Sequence, residues 1–123
     1  MAAPPVAPVQ VFGRRDSRPT QKALRFFKER RMPISFVDVA VKPPAPTELR
    51  RFAGRLGAAA LLDRAGRRYL ELGLAYVRMS DDELFERLLA DPGLLRLPLV
   101  RRGQACAAGP DEVGWRAMVT PAG

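Results

Sequence analysis

Residues 9–41, VQVFGRRDSRPTQKALRFFKERRMPISFVDVAV, decide the fold. The segment starts with a short apolar strand at residues 9–12, and residues 13–19 read as a loop rich in glycine, proline and arginine. From Thr20 the apolar residues Ala23, Phe26 and Phe27 fall on one helical face, with Lys22, Arg25 and Lys28 opposite. Pro33 stops that helix near Arg31. Residues 34–41 (ISFVDVAV) are dense in β-branched side chains and nearly continuous in apolar character, as for a strand covered on both faces. Strand, helix and strand within about 30 residues form a βαβ unit, and a crossover of that length makes the two strands parallel neighbours.

Working outward, residues 1–8 are rich in alanine and proline and read as a flexible leader. Residues 9–123 then form a single domain, because a chain of 123 residues with 47% hydrophobic content can bury one modest core. Beyond the βαβ unit, KPPAP at residues 42–46 is a connector. Thr47 is placed to cap a helix that carries Leu49, Phe52, Ala53 and Leu56, and Gly57 is its stop. Residues 63–66 (DRAG) read as a turn, followed by a short segment with Tyr69, Leu70, Leu72 and Leu74. Ser80-Asp81-Asp82-Glu83 matches the capping box, and Leu84, Phe85, Leu88 and Leu89 give the helix behind it a buried stripe. Asp91-Pro92-Gly93 ends that helix. A strand at residues 97–101, a turn at Gly103 and a strand at residues 104–107 make a hairpin, and a helix at residues 111–118 buries Trp115. The order is β-α-β, a helical insertion, then β-β-α. This α/β layout is that of a thioredoxin-like fold with a four-stranded mixed sheet.

Several functions are excluded by residue counts. The chain has one cysteine, Cys106, and no histidine. No intramolecular disulfide can form, no imidazole is present to activate a serine or cysteine, and no donor set remains for a thiolate or imidazole zinc site, so no metal is expected. Cys106, a small residue between alanines, reads as a packing residue. Tyr69 and Trp115 likewise read as core. No stretch is apolar for long enough to cross a bilayer, and the first eight residues lack the pattern of a signal peptide. A cytoplasmic location without membrane association is the expectation. The net charge of +8 favours anionic partners. Of the 21 basic residues, however, only Lys22, Lys28 and Lys42 are lysine, and they are scattered among few aromatics. A nucleic-acid partner is therefore disfavoured.

Phe12-Gly13 followed by Ser17, with Lys22-Ala23 and two aromatics in the next helix, is similar to the start of the arsenate reductase/Spx-like family of glutaredoxin-like proteins. Residues 62–72 (LDRAGRRYLEL), residues 80–89, Asp91-Pro92 and residues 94–98 (LLRLP) resemble later motifs of that family, as do Gly109 and Trp115. The resemblance covers about residues 9–118, in the family's order. It implies that Ser17 stands where the family keeps its nucleophilic cysteine, that Asp63 stands for its asparagine, and that Pro98 follows a cis peptide bond. The family's arginine immediately before that proline is here Leu97, with Arg96 one position earlier.

A serine hydroxyl does not replace a thiolate poised at a helix N-terminus, so arsenate reduction and thiol transfer are expected to be absent. Ser17 has two readings. In one it is a helix cap. In the other it belongs to a surviving anion pocket with Arg14, Arg15 and Arg18 at a helix N-terminus, joined by Arg96. Two functions follow from the resemblance. One is a non-redox binding or regulatory protein acting through a partner, as the Spx-like branch acts on RNA polymerase. The other is a reductase homologue that retains oxyanion or glutathione binding; no other cofactor is implied.

Overall fold

Val9 and Val11 project from one side of the first strand and Phe12 from the other, and all three are fully buried, so that strand lies inside the molecule. The computed structural model describes residues 7–119. Strand β1 (Val9–Gly13) leads into helix α1 (Arg18–Glu29) and strand β2 (Ile34–Asp38). The insertion comprises α2 (Pro46–Leu56), α3 (Arg67–Glu71) and α4 (Asp81–Ala90), joined by short 3-10 turns at Ala58–Leu61, Leu74–Tyr76 and Pro92–Leu94. The hairpin β3 (Leu99–Arg102) and β4 (Ala105–Ala108) precedes α5 (Glu112–Val119). Most of the leader lies outside the described residues, and Ala7 and Pro8 have no regular structure.

The sheet order is β2-β1-β3-β4. β1 pairs parallel with β2, Val9 opposite Ile34 and Gly13 opposite Asp38. It pairs antiparallel with β3, Phe12 opposite Leu99. β3 and β4 are antiparallel, with Arg101 opposite Cys106. This is the thioredoxin-like, mixed four-stranded arrangement expected from the sequence.

The two faces of the sheet carry separate cores. Val9, Val11, Val100 and Ala107 pack with Ala23, Phe26 and Phe27 of α1 and Trp115 and Met118 of α5. Phe12 and Leu99 pack on the other side with Leu49 and Phe52 of α2, Phe85 and Leu88 of α4, and the leucines of the insertion. Phe12 and Phe52 meet edge to face at 5.7 Å. Each fully buried large apolar side chain contributes roughly 1.5–3 kcal/mol, so both layers are needed.

Four details depart from the sequence reading. β2 ends at Asp38, not Val41, because the Asp38 carboxylate accepts the Ala40 N–H at 3.0 Å and its carbonyl accepts the N–H groups of Val41 and Lys42. β2 is also an edge strand whose residues are at best half-buried, so its apolar run does not mean cover on both faces. Thr47 does not cap α2. The cap is Ala45, whose N–H donates to the Glu48 carboxylate at 2.9 Å, with Pro46 in the first turn. β3 begins at Leu99, so Pro98, which cannot donate to a ladder, precedes the strand. The Ser80 cap stands as expected: its Oγ accepts the Glu83 N–H at 3.1 Å and donates to the Glu83 carboxylate at 3.1 Å.

Candidate functional site

Gly13 ends β1 and Arg18 starts α1, and the four residues between them form the loop that carries the candidate site. The loop is closed by the Ser17 N–H donating to the Arg14 carbonyl at 3.0 Å. Ser17 is the N-cap of α1, accepting the Thr20 N–H through its Oγ at 3.3 Å. Pro19 has no N–H, and the Gln21 N–H bonds to the Ser17 carbonyl. Among the described residues, only the Arg18 N–H in this first turn is left without a protein acceptor. A helix N-terminus attracts anions through such unfilled donors, and this one has few.

The turn expected at residues 63–66 and the segment before Pro98 face this loop. Leu62 and Leu95 form an antiparallel bridge, the Asp63 N–H donates to the Leu94 carbonyl at 2.9 Å, and the Arg96 N–H donates to the Leu61 carbonyl at 2.8 Å. The Leu97–Pro98 peptide bond is cis, the conformation that the family resemblance implies. A cleft of about 510 Å³ lies between these segments, lined by Arg14 and Ser17 from the loop, Asp63, Arg67 and Arg68 from the insertion, and Leu97.

The cleft gathers only part of the expected site. Arg14 and Ser17 line it, whereas Arg15, Arg18 and Arg96 do not. Arg15 lies over the Phe36 ring, 5.0 Å from its centre, on the β2 side. Arg18 is exposed on the first turn of α1. Arg96 runs along Gly109, a residue with φ 72°, where an added Cβ would fall 2.5 Å from Nε. Alternation explains this last placement. Leu95 and Leu97 line the cleft, and the residue between them points away.

Electrostatically the cleft is balanced. Three arginines line it, Arg14, Arg67 and Arg68, and so do three carboxylates, Asp16, Asp63 and Glu71. Arg14 pairs with Asp16 at 2.9 Å, and Arg68 pairs with Asp91 at 2.7 Å. Asp63 turns its carboxylate back to accept the Ala65 N–H at 3.1 Å. Arg67, Arg68 and Glu71 have no role in the sequence reading. The double arginine after the turn at residues 63–66 was the available signal, but only the folded chain brings that turn and the Ser17 loop to one cleft.

Cys106 lies elsewhere. It is half-buried on β4, opposite Arg101, which in turn lies opposite Gln10 near the start of β1. Ser17 follows the far end of β1, so the thiol and the hydroxyl lie toward opposite ends of the sheet. Burial pushes the Cys106 thiol up, against the opposing pull of Arg101 and Arg55. Among the described residues no cluster of carboxylate and thiol groups could hold a metal ion, and no helix is long and apolar enough to cross a membrane.

A thioredoxin-like sheet with a cis-proline facing the loop after β1 defines the class of this protein. The sequence profile of the ArsC family matches residues 13–118, and the chain belongs to that family. It is 29% identical over 93 residues to the uncharacterised YusI protein of Bacillus subtilis strain 168, covering 72% of this chain and 79% of that protein. In fold it is similar to a putative ArsC-family-related protein from Bacteroides fragilis, with TM-score 0.82 and 19% identity over 89% of this chain and 96% of the other. It is likewise similar to the arsenate reductase from Vibrio cholerae, with TM-score 0.76 and 22% identity over 89% and 97% of the two chains.

Proposed function

We propose that this chain is an ArsC-family protein in which Ser17 stands at the position of the family's nucleophilic cysteine, and that it acts as a non-redox binding or regulatory protein through a macromolecular partner. The observation that carries the reading is the use made of Ser17. Its Oγ is an acceptor for the Thr20 N–H, no histidine exists to draw its proton, and the chain's one thiol lies toward the other end of the sheet. RNA polymerase, on which the Spx-like branch acts, is the partner class to test first.

The competing reading, a reductase homologue that still holds an oxyanion or glutathione, has one observation in its favour: Arg14 and Ser17 share a cleft with Leu97, next to the cis bond. The three carboxylates lining that cleft and the filled donors of α1 weigh against it.

Arsenate turnover with glutathione and glutaredoxin, measured on the wild-type protein and on Ser17→Cys, tests the first part. Wild-type turnover would overturn it. The second part is tested by titrating the protein into purified RNA polymerase, where a saturable complex supports the partner and none removes it. Calorimetric titration with arsenate, sulfate and glutathione decides against the competing reading if no heat is lost on Arg14→Gln.

A further inference from the structure

Toward the other end of the sheet from Ser17, the charge is not balanced. A second cleft, of about 470 Å³, opens between α2 and the β3–β4 hairpin. Arg50, Arg51 and Arg55 of α2 and Arg101 of β3 line it, together with Gly54, Gly103, Gln104 and Cys106, and no carboxylate does. Among the described residues, none of the four guanidiniums has an ion-pair partner.

We propose that this cleft is a binding site for a small, multiply charged anion of phosphate type, held by Arg51, Arg55 and Arg101. The site is separate from the Ser17 cleft and does not depend on the function proposed above.

Three features support it. First, the cationic groups are held in place before any ligand arrives. Arg55 donates through Nε to the Gln104 carbonyl at 2.8 Å, and Arg101 donates to the Gly103 carbonyl at 3.1 Å and to the Gln10 side chain at 3.4 Å. A guanidinium has five N–H donors, so each keeps several for an anion, and groups already oriented lose little freedom on binding. Arg51 is one turn from Arg55 and so shares its face of the helix. Second, Gly54 lies within α2 between these arginines, where a Cβ would meet nothing within 4 Å. Glycine disfavours a helix interior, and no neighbour requires it here. What its missing side chain provides is an open approach to the helix backbone on the cleft wall. Third, the charge matches the ligand class. Three guanidiniums, those of Arg51, Arg55 and Arg101, suit a diphosphate or triphosphate group better than a single carboxylate, and forked donors fit phosphate oxygens; the Arg50 guanidinium lies over the Phe85 ring, 5.3 Å from its centre. No aromatic side chain lines the cleft, so it offers no platform for stacked bases and does not suit single-stranded nucleic acid.

Cys106, on the cleft lining, is the chain's one thiol and serves as the reporter. The rate of its alkylation by uncharged N-ethylmaleimide is measured by whole-protein mass against increasing pyrophosphate and tripolyphosphate, with sodium chloride at matched ionic strength. Saturable protection by tripolyphosphate, absent with chloride, is expected. Arg51, which has no protein acceptor among the described residues, can be removed without disturbing the fold. Arg51→Gln should weaken protection about tenfold or more, the loss of a charge-assisted hydrogen bond. Arg14→Gln, in the other cleft, should leave it intact. The proposal is overturned by unsaturable protection, by protection equal in Arg51→Gln, by its loss in Arg14→Gln, or by protection from a single-stranded oligonucleotide but not from tripolyphosphate.

Discussion

Substituting Gly13 by alanine tests how the candidate loop is built. A Cβ at this position would lie 2.4 Å from Cγ2 of Thr20, 2.5 Å from its Oγ1 and 3.0 Å from its Cβ. Ordinary contacts lie at about 3.5–4 Å, so both γ atoms overlap by roughly 1 Å. Thr20 is fully buried, and its Oγ1 accepts the Arg14 N–H at 3.4 Å. Rotating the side chain to exchange Oγ1 with Cγ2 gives no relief, because both positions clash. The junction of β1 and α1 must therefore shift, and overpacking of this kind costs about 1–3 kcal/mol. Urea unfolding followed by fluorescence of Trp115, the one tryptophan in the chain, measures the loss. At a typical slope of about 1–3 kcal/mol per molar, the midpoint should fall by roughly 1 M. Thr20→Ala removes both γ atoms, so Gly13→Ala should cost at least ~1 kcal/mol less in that background. A single variant within ~0.5 kcal/mol of wild type, or costs that simply add, would refute the reasoning.

Two further outcomes follow from the second cleft. Gly54→Ala meets no neighbour and should raise stability by about 0.5–1 kcal/mol in urea unfolding, through helix preference alone; a loss would show that the glycine is needed for the fold. Because burial holds the Cys106 proton in the folded state, the unfolded chain releases that proton first as pH rises. The contribution to stability is complete below the ordinary thiol range and declines as pH climbs through the raised folded value, so wild type should lose more stability than Cys106→Ala between neutral and alkaline buffer.

Local patterns announced themselves well in this sequence. The α1 stripe of Ala23, Phe26 and Phe27, the Ser80 cap and the breaks at Gly57 and Gly103 depend on residues within one or two turns of one another, and each appears where its pattern placed it. Positions set by distant partners were harder to read. The apolar run of residues 34–41 was the same whether β2 lay in the centre or at the edge, and only the pairing of β1 with β3 decided it. Arg96 looked equivalent to Arg14 as an anion ligand until the bridge between Leu62 and Leu95 fixed which side chains face the cleft. The basic residues looked scattered because Arg101 is far in sequence from α2, and the hairpin brings it beside Arg51 and Arg55.

The order of strands in the sheet has a consequence for synthesis. β1 lies at the centre, yet its partner Arg101 is 91 residues from Gln10. A chain emerging from its N-terminus can pair β1 with β2 early, but the opposite margin of β1 stays unpaired until residues 99–102 arrive. Throughout that interval the nascent protein presents an open edge flanked by Val9, Val11 and Phe12, the kind of strand that recruits other chains. A fragment ending before residue 99 would carry that edge permanently, so a chain terminated before β3 would be prone to aggregation.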